Sequence, residues 1–90
     1  MSFEWDPEKS ALNKKKHGID FETAKNIWLD NERIEIKAPH PVEERWIVIG
    51  SVRQKVWAAI YTIRGDIIRI ISVRRARKKE VKIYEEKIFR

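Results

Sequence analysis

Three runs of β-forming residues stand almost back to back in the second half of this chain: Arg45-Trp46-Ile47-Val48-Ile49, Val56 to Ile63, and Ile67 to Val73. β-branched and aromatic side chains suit a pleated, half-buried surface. Gly50 closes the first run, and the turn Arg64-Gly65-Asp66 joins the second to the third. The pattern predicts a β-meander. The third run is almost wholly aliphatic, as a strand covered on both faces would be. Ahead of them, Glu32 to Lys37 alternates in part, with Ile34 and Ile36 facing one way. Pro39-His40-Pro41 cannot continue a central strand and reads as a loop.

The N-terminal third is punctuated differently. Phe3-Glu4-Trp5 reads as a short strand with its two aromatic rings on one face. Asp6-Pro7-Glu8 then announces a helix, because Asp caps exposed N–H groups, Pro suits the first helical position and Glu complements the dipole. This helix runs to about His17, with Gly18 placed for a left-handed C-cap and Lys14, Lys15, Lys16 and His17 in the last turn. Asp20 caps a second helix with Phe21, Ala24, Ile27 and Trp28 on one face, ending near Leu29 to Asn31. The chain turns helical again from about Ala76, with Val81, Tyr84 and Ile88 at helical spacing. The expected architecture is one α+β domain over residues 1–90: an N-terminal helical pair, an antiparallel sheet and a basic C-terminal helix.

Composition narrows the function. A chain of 90 residues has a thin core, yet 42% hydrophobic residues and four tryptophans argue for a folded globule. There is no cysteine, which removes disulfides and thiolate metal sites. With two histidines, scattered acids and three glycines, no zinc site, two-metal cluster, P-loop or dinucleotide motif is expected, so neither metal nor cofactor is called for. No apolar run could span a bilayer and no leader pattern opens the chain, so the expectation is a soluble cytoplasmic protein. The charge is lopsided. Residues 1–45 hold eight Lys/Arg against ten Asp/Glu, whereas residues 46–90 hold twelve against four. Concentrated positive charge attracts polyanions by releasing their counterions, which points to nucleic acid or an acidic protein partner.

Three stretches have the residue types for chemistry. In Lys14-Lys15-Lys16-His17-Gly18, cations at a helix C-terminus stabilise it, and the histidine either caps carbonyls or transfers protons beside phosphate-holding ammoniums. In Ile67 to Lys79, strand period two sets Arg69, Ile71 and Val73 on one face and Ile70, Ser72 and Arg74 on the other. A guanidinium in so apolar a strand either pairs with a carboxylate such as Glu44 or Glu80 or faces a phosphate. Arg74 sits at the strand end, which favours function there. Four cations at a helix start, Arg75, Arg77, Lys78 and Lys79, oppose its dipole and favour a ligand. In Glu43-Glu44-Arg45, a carboxylate beside a guanidinium is either a surface ion pair or a general base with a charge stabiliser. Tyr61 reads as core, and Tyr84 as the anchor of the last helix. RNA carries its own nucleophile in the 2′-hydroxyl, so a metal-free nuclease needs only proton transfer and oxyanion stabilisation.

Taken as a set, Phe3-Glu4-Trp5-Asp6, Lys16-His17-Gly18-Ile19 with Phe21 and Ala24, Glu44-Arg45 leading to Ile49-Gly50, Arg64-Gly65-Asp66, and Arg69-Ile70-Ile71-Ser72-Val73-Arg74-Arg75-Ala76 with Glu80 and Tyr84 resemble the BrnT family of type II toxins. Val73 stands where that family often has Ala. The resemblance implies a RelE-like ribonuclease fold and RNA cleavage that arrests translation. It also implies neutralisation by a BrnA-type antitoxin and promoter binding in which the antitoxin supplies the DNA contact. It places Lys16, His17, Arg45, Arg64 and Arg74 in the active surface, with His17 as acid or base and Arg74 and Lys16 stabilising phosphorane charge. Lys14, Lys15, Arg69, Arg75, Arg77, Lys78 and Lys79 then bind RNA.

The rival readings are a non-catalytic nucleic-acid-binding module and a partner-docking domain. Against the first, the basic helix stands alone at the C-terminus without a helix-turn-helix partner. A nuclease toxin is expected to stop growth when produced alone, and a passive module is not.

Overall fold

The start and stop signals of the first helix act as their chemistry dictates. In the computed structural model, which describes residues 1–89, α1 spans Pro7–His17, with the Asp6 carboxylate accepting from the Glu8 N–H at 2.8 Å. Gly18 stops it at φ 78°, and its N–H donates to the Lys14 carbonyl at 2.9 Å. Asp20 caps the next helical turn through the Thr23 N–H at 2.8 Å.

The second helix is shorter than its apolar spacing predicts. α2 covers only Phe21–Ala24, and a 3-10 helix continues over Lys25–Leu29. Phe21, Ala24 and Ile27 lie three apart, and a helix tightened to three residues per turn keeps them in one row. All three are buried, together with Trp28, under the sheet.

Five strands form that sheet: β1 (Ser2–Glu4), β2 (Ile34–Ala38), β3 (Arg45–Val52), β4 (Lys55–Arg64) and β5 (Ile67–Arg75), in the spatial order β1-β5-β4-β3-β2. α3 (Lys78–Ile88) comes last. The class is α+β as expected, but the sheet is mixed. β2 to β5 pair antiparallel with their neighbours, whereas β1 lies parallel to β5, Phe3 opposite Ile68. A parallel pair needs a long connection. Here residues 5–66 lie between the two strands, a partner choice that local pattern does not reveal.

Two further corrections concern β3 and β5. Gly50 does not close β3, which runs on to Val52. A Cβ at Gly50 would stand 3.0 Å from Ile27 Cγ2 and 3.2 Å from the Ile27 carbonyl oxygen, so glycine here admits the 3-10 helix to the sheet. The chain reverses instead at Arg53-Gln54, between the paired Val52 and Lys55, with φ of 54° and 67°. Two positive φ values in a two-residue hairpin define the type I′ turn that Asn-Gly makes without strain. In Arg and Gln each costs about 1 kcal/mol or more. In β5 the register shifts, because Ile60 faces Ser72 but Tyr61 faces Ile70. Ile71 is thus a bulge, and it resets the alternation. Ile70 and Val73 both enter the core, and Arg69 and Arg74 share the opposite face, where strict alternation had separated them.

One face of the sheet is closed by α1, α2 and the 3-10 helix over a core that includes Val48, Trp57, Ala59, Tyr61, Ile70 and Val73. α1 contributes polar groups to this packing. Its buried Asn13 donates to the Ile19 carbonyl at 2.8 Å and accepts from the Val73 N–H at 3.1 Å. β1 ends at Glu4, so the β5 edge beyond Arg69 has no strand beside it. Asn13 supplies the missing partner. Asn13→Ala strands a buried donor and a buried acceptor, and is expected to cost about 2–3 kcal/mol. A lower urea midpoint at unchanged m would show it.

Candidate active site

The other face of the sheet is only half covered. α3 is fixed at its start by Glu80, which receives both Arg74 guanidinium nitrogens at 2.6 and 2.9 Å and the Arg77 N–H at 2.8 Å. The Tyr84 hydroxyl donates to Asp30, and Lys87 Nζ to the Arg33 carbonyl at 3.1 Å. These ties seat the helix across Ile49 and Ala58, at the end of the sheet that holds the β3–β4 turn. Tyr61 and Tyr84 are buried as expected. The Tyr61 hydroxyl donates a hydrogen bond to Glu35 at 2.5 Å, and burial with that bond raises its pKa.

The uncovered end carries the arginines. Alternation from the paired residues puts Arg45 of β3, Thr62 and Arg64 of β4 and Arg69 of β5 on this face. Ile36, Ile47 and Ile60 form an aliphatic floor beside them. Arg45 Nε donates to Glu43 at 3.1 Å, and Arg69 donates to Glu4 at 2.8 Å. The Thr62 hydroxyl donates to the Glu44 carbonyl at 2.7 Å, pinning the loop that carries Glu43 and Arg45 against β4. Arg45 and Arg69 flank β4 on either side, about 10 Å apart across two strand spacings. Arg64 is exposed and makes no ion pair among the described residues. Thus two carboxylate–guanidinium pairs and an exposed guanidinium share one open surface.

The sequence-predicted residues do not all meet there. Arg74 is on this face but at the other end, opposite Ala58 and occupied by Glu80. Glu80 is one of the carboxylates anticipated for such a pair. The partner of Arg69 is Glu4, which only the parallel β1–β5 pairing brings alongside. Lys14, Lys15, Lys16 and His17 are exposed at the end of α1, which leads into Gly18 and Ile19 on the opposite face of the sheet. From Trp57, beside that end, to Arg64 is about 23 Å of strand. Arg75 stacks on Trp57, with its guanidinium carbon 5.4 Å from the ring centroid, and Arg77, Lys78 and Lys79 are exposed at the start of α3. The sequence places Glu4 in a strand and a family signature without giving it a role, and no motif in it singles out Asn13 or Asp30. The Asp30-Asn31 turn signal before β2 was the available clue to the last.

The electrostatics of α3 make stability depend on acid. The hydrogen bonds from Arg74 hold Glu80 below the ordinary glutamate value of 4.5. For Asp30, burial opposes the charge, but hydrogen bonds from Tyr84 and the Ser51 and Glu32 N–H groups outweigh it and hold the group below 3.8. Depressed carboxylates stabilise the fold fully above their unfolded pKa values, and that stability is lost as pH falls through the folded ones. The urea midpoint is therefore expected to hold from pH 7 to about 5 and to fall below about pH 4. Glu80→Gln should flatten that descent.

A basic α+β protein with guanidiniums and carboxylates on an uncovered sheet face has the groups to bind a polyanion and move protons on it. The chain belongs to the BrnT family, whose model, described as the ribonuclease toxin BrnT of type II toxin–antitoxin systems, matches residues 5–80. That family is one of ribonuclease toxins acting on RNA and countered by an antitoxin. No curated protein matches the chain. Among the described residues no helix is long and apolar enough to cross a membrane, and no group of three or more His, Cys, Asp or Glu is placed to hold a metal ion.

Proposed function

We propose that residues 1–90 act as one RelE-like toxin domain that cleaves RNA on the open sheet face, and so arrests translation. One observation carries this placement: Arg45–Glu43, Arg69–Glu4 and the exposed Arg64 gather on the part of the sheet that α3 leaves uncovered. In the reaction, a 2′-hydroxyl attacks the adjacent phosphorus and gives its proton to Glu43. The phosphorus–O5′ bond breaks, and the leaving oxygen takes a proton from solvent, producing a 2′,3′-cyclic phosphate and a 5′-hydroxyl. Arg45, Arg64 and Arg69 stabilise the charge that builds on the phosphorane. The aliphatic floor accommodates the flanking bases. With Glu43 taking the proton, guanidiniums stabilising the phosphorane and solvent protonating the leaving oxygen, the proposed reaction is metal-independent. Arg74 acts through Glu80 to seat α3, and Lys16 and His17 act outside the cleavage surface. A BrnA-type antitoxin neutralises the protein and provides the DNA contacts when the pair binds its operator.

Incubating antitoxin-free protein with RNA in excess chelator tests this reading. Cleavage to cyclic-phosphate ends that persists in chelator supports it. RNA binding without cleavage, and no growth arrest on expression, would leave a nucleic-acid-binding module instead.

A further inference from the structure

We propose that the cleft beside the β3–β4 turn is a second site for single-stranded RNA, one that holds phosphates at a distance from the bond being cut. It rests on the ribonuclease reading above and adds to it a binding surface at the opposite end and on the opposite face of the sheet.

Four observations meet there. A cavity of about 220 Å³ lies between the α1 C-terminus and the turn, walled by Gly18, Thr23, Arg53, Lys55 and Trp57. Its rim is basic. Arg53 and Lys55 are exposed, Lys14 to His17 are exposed immediately before Gly18, and Arg75 lies over the Trp57 ring at 5.4 Å. The partial charge of a helix end is about half a unit, so four successive basic residues exceed what α1 needs for its own stability. The nearby carboxylates are engaged: Asp20 accepts from the Thr23 N–H at 2.8 Å, and Glu22 pairs with Lys25 at 2.7 Å.

The fourth observation is strain. Arg53 and Gln54 hold φ of 54° and 67° in a turn that Asn-Gly forms freely. Strained backbone persists where another requirement sets the residue, and here it keeps a guanidinium at the mouth of the cleft. The surface also favours phosphodiester over a protein partner. Protein interfaces are depleted in lysine, whereas Lys14, Lys15, Lys16 and Lys55 are exposed around this cleft. Ile19, Val52 and Trp57 of this cleft are buried, and the side chains that stand out at its mouth are the cations Arg53 and Lys55.

The test is binding of an uncleavable 2′-O-methyl oligonucleotide to the full chain, measured from about 50 to 200 mM salt. Replacing Arg53→Gln with Lys55→Gln should weaken binding about tenfold and lower the slope of log affinity against log salt by about 1.4, the loss of two single-strand phosphate contacts. Replacing two exposed cations elsewhere, Lys9→Gln with Lys82→Gln, should have a much smaller effect. A second variant guards against misfolding: Arg53→Asn with Gln54→Gly suits the turn, so it should raise Tm while weakening the oligonucleotide. Equal effects from the two cation pairs, or unchanged binding by both turn variants, would overturn the proposal. Unchanged oligonucleotide binding with a loss of antitoxin affinity would make the cleft a protein-docking surface and overturn it as well. Because the readout needs no turnover, failure of the cleavage reading and failure of this one are separate results.

Discussion

Arg64→Ala is expected to lower the rate of RNA cleavage by about 100-fold or more while leaving Tm nearly unchanged. The two halves of this expectation have different origins. Arg64 is exposed and makes no ion pair among the described residues, so its removal strands no buried group and opens no cavity. Surface changes of that kind stay within about 0.5 kcal/mol. Its guanidinium nevertheless projects from the open sheet face that carries Arg45 and Arg69. On the proposed mechanism it meets charge that develops only in the transition state, where one donor is worth about 2.7–4 kcal/mol. Arg64→Lys should recover part of the rate, because it keeps the charge and loses the planar fork. Single-turnover cleavage of a labelled oligonucleotide, set beside a melting curve of each variant, measures both. Wild-type cleavage by Arg64→Ala would remove the residue from the reaction.

Asp30→Ala is expected to produce the largest loss of stability, about 3–4 kcal/mol. One carboxylate there accepts the Ser51 N–H at 2.8 Å, the Glu32 N–H at 2.9 Å and the Tyr84 hydroxyl. It joins the end of the 3-10 helix, the edge of β3 and the underside of α3, three elements far apart in the chain. Truncation leaves three donors to find water, and Tyr84, 5% exposed, is badly placed to do so. For a domain of this size the loss corresponds to about 20 °C in Tm. Tyr84→Phe, which removes one of the three bonds, should cost about 1 kcal/mol. Its pKa, raised to about 12 by burial and the bond to Asp30, places the matching alkaline loss above pH 10. A wild-type melting temperature for Asp30→Ala would mean that α3 is held by its apolar contacts alone.

Local chemistry was legible wherever the determinant was also local. Asp6, Pro7 and Gly18 bound α1 because capping satisfies N–H and C=O groups within a few residues. The β-forming runs became β3, β4 and β5 because side-chain shape suits a half-buried pleat. Tyr84 as an anchor and Glu80 as a partner for an arginine were also readable, since helical spacing brings both toward the sheet. The candidate site was legible in kind but not in grouping. The arginines that share the open face were among those singled out, yet Arg64 and Arg45 stand about 23 Å and about 17 Å of strand away from the level of Trp57, where the lysines of α1 end.

The amino-acid order by itself determined the elements, the α+β class, the basic second half and the membership signatures that span the chain, because each depends on neighbours or on composition. Tertiary structure alone decided the rest. The parallel β1–β5 pairing that gives Arg69 its partner Glu4 depends on residues sixty-five positions apart. The bulge at Ile71 reverses which face Arg74 shares, and a bulge is set by how β5 must fit β4 and the core beneath it, not by the residue inserted. The open half of the sheet exists because Asp30, Glu80 and Arg33 fix where α3 crosses it, and no periodicity in the helix records where the helix lands.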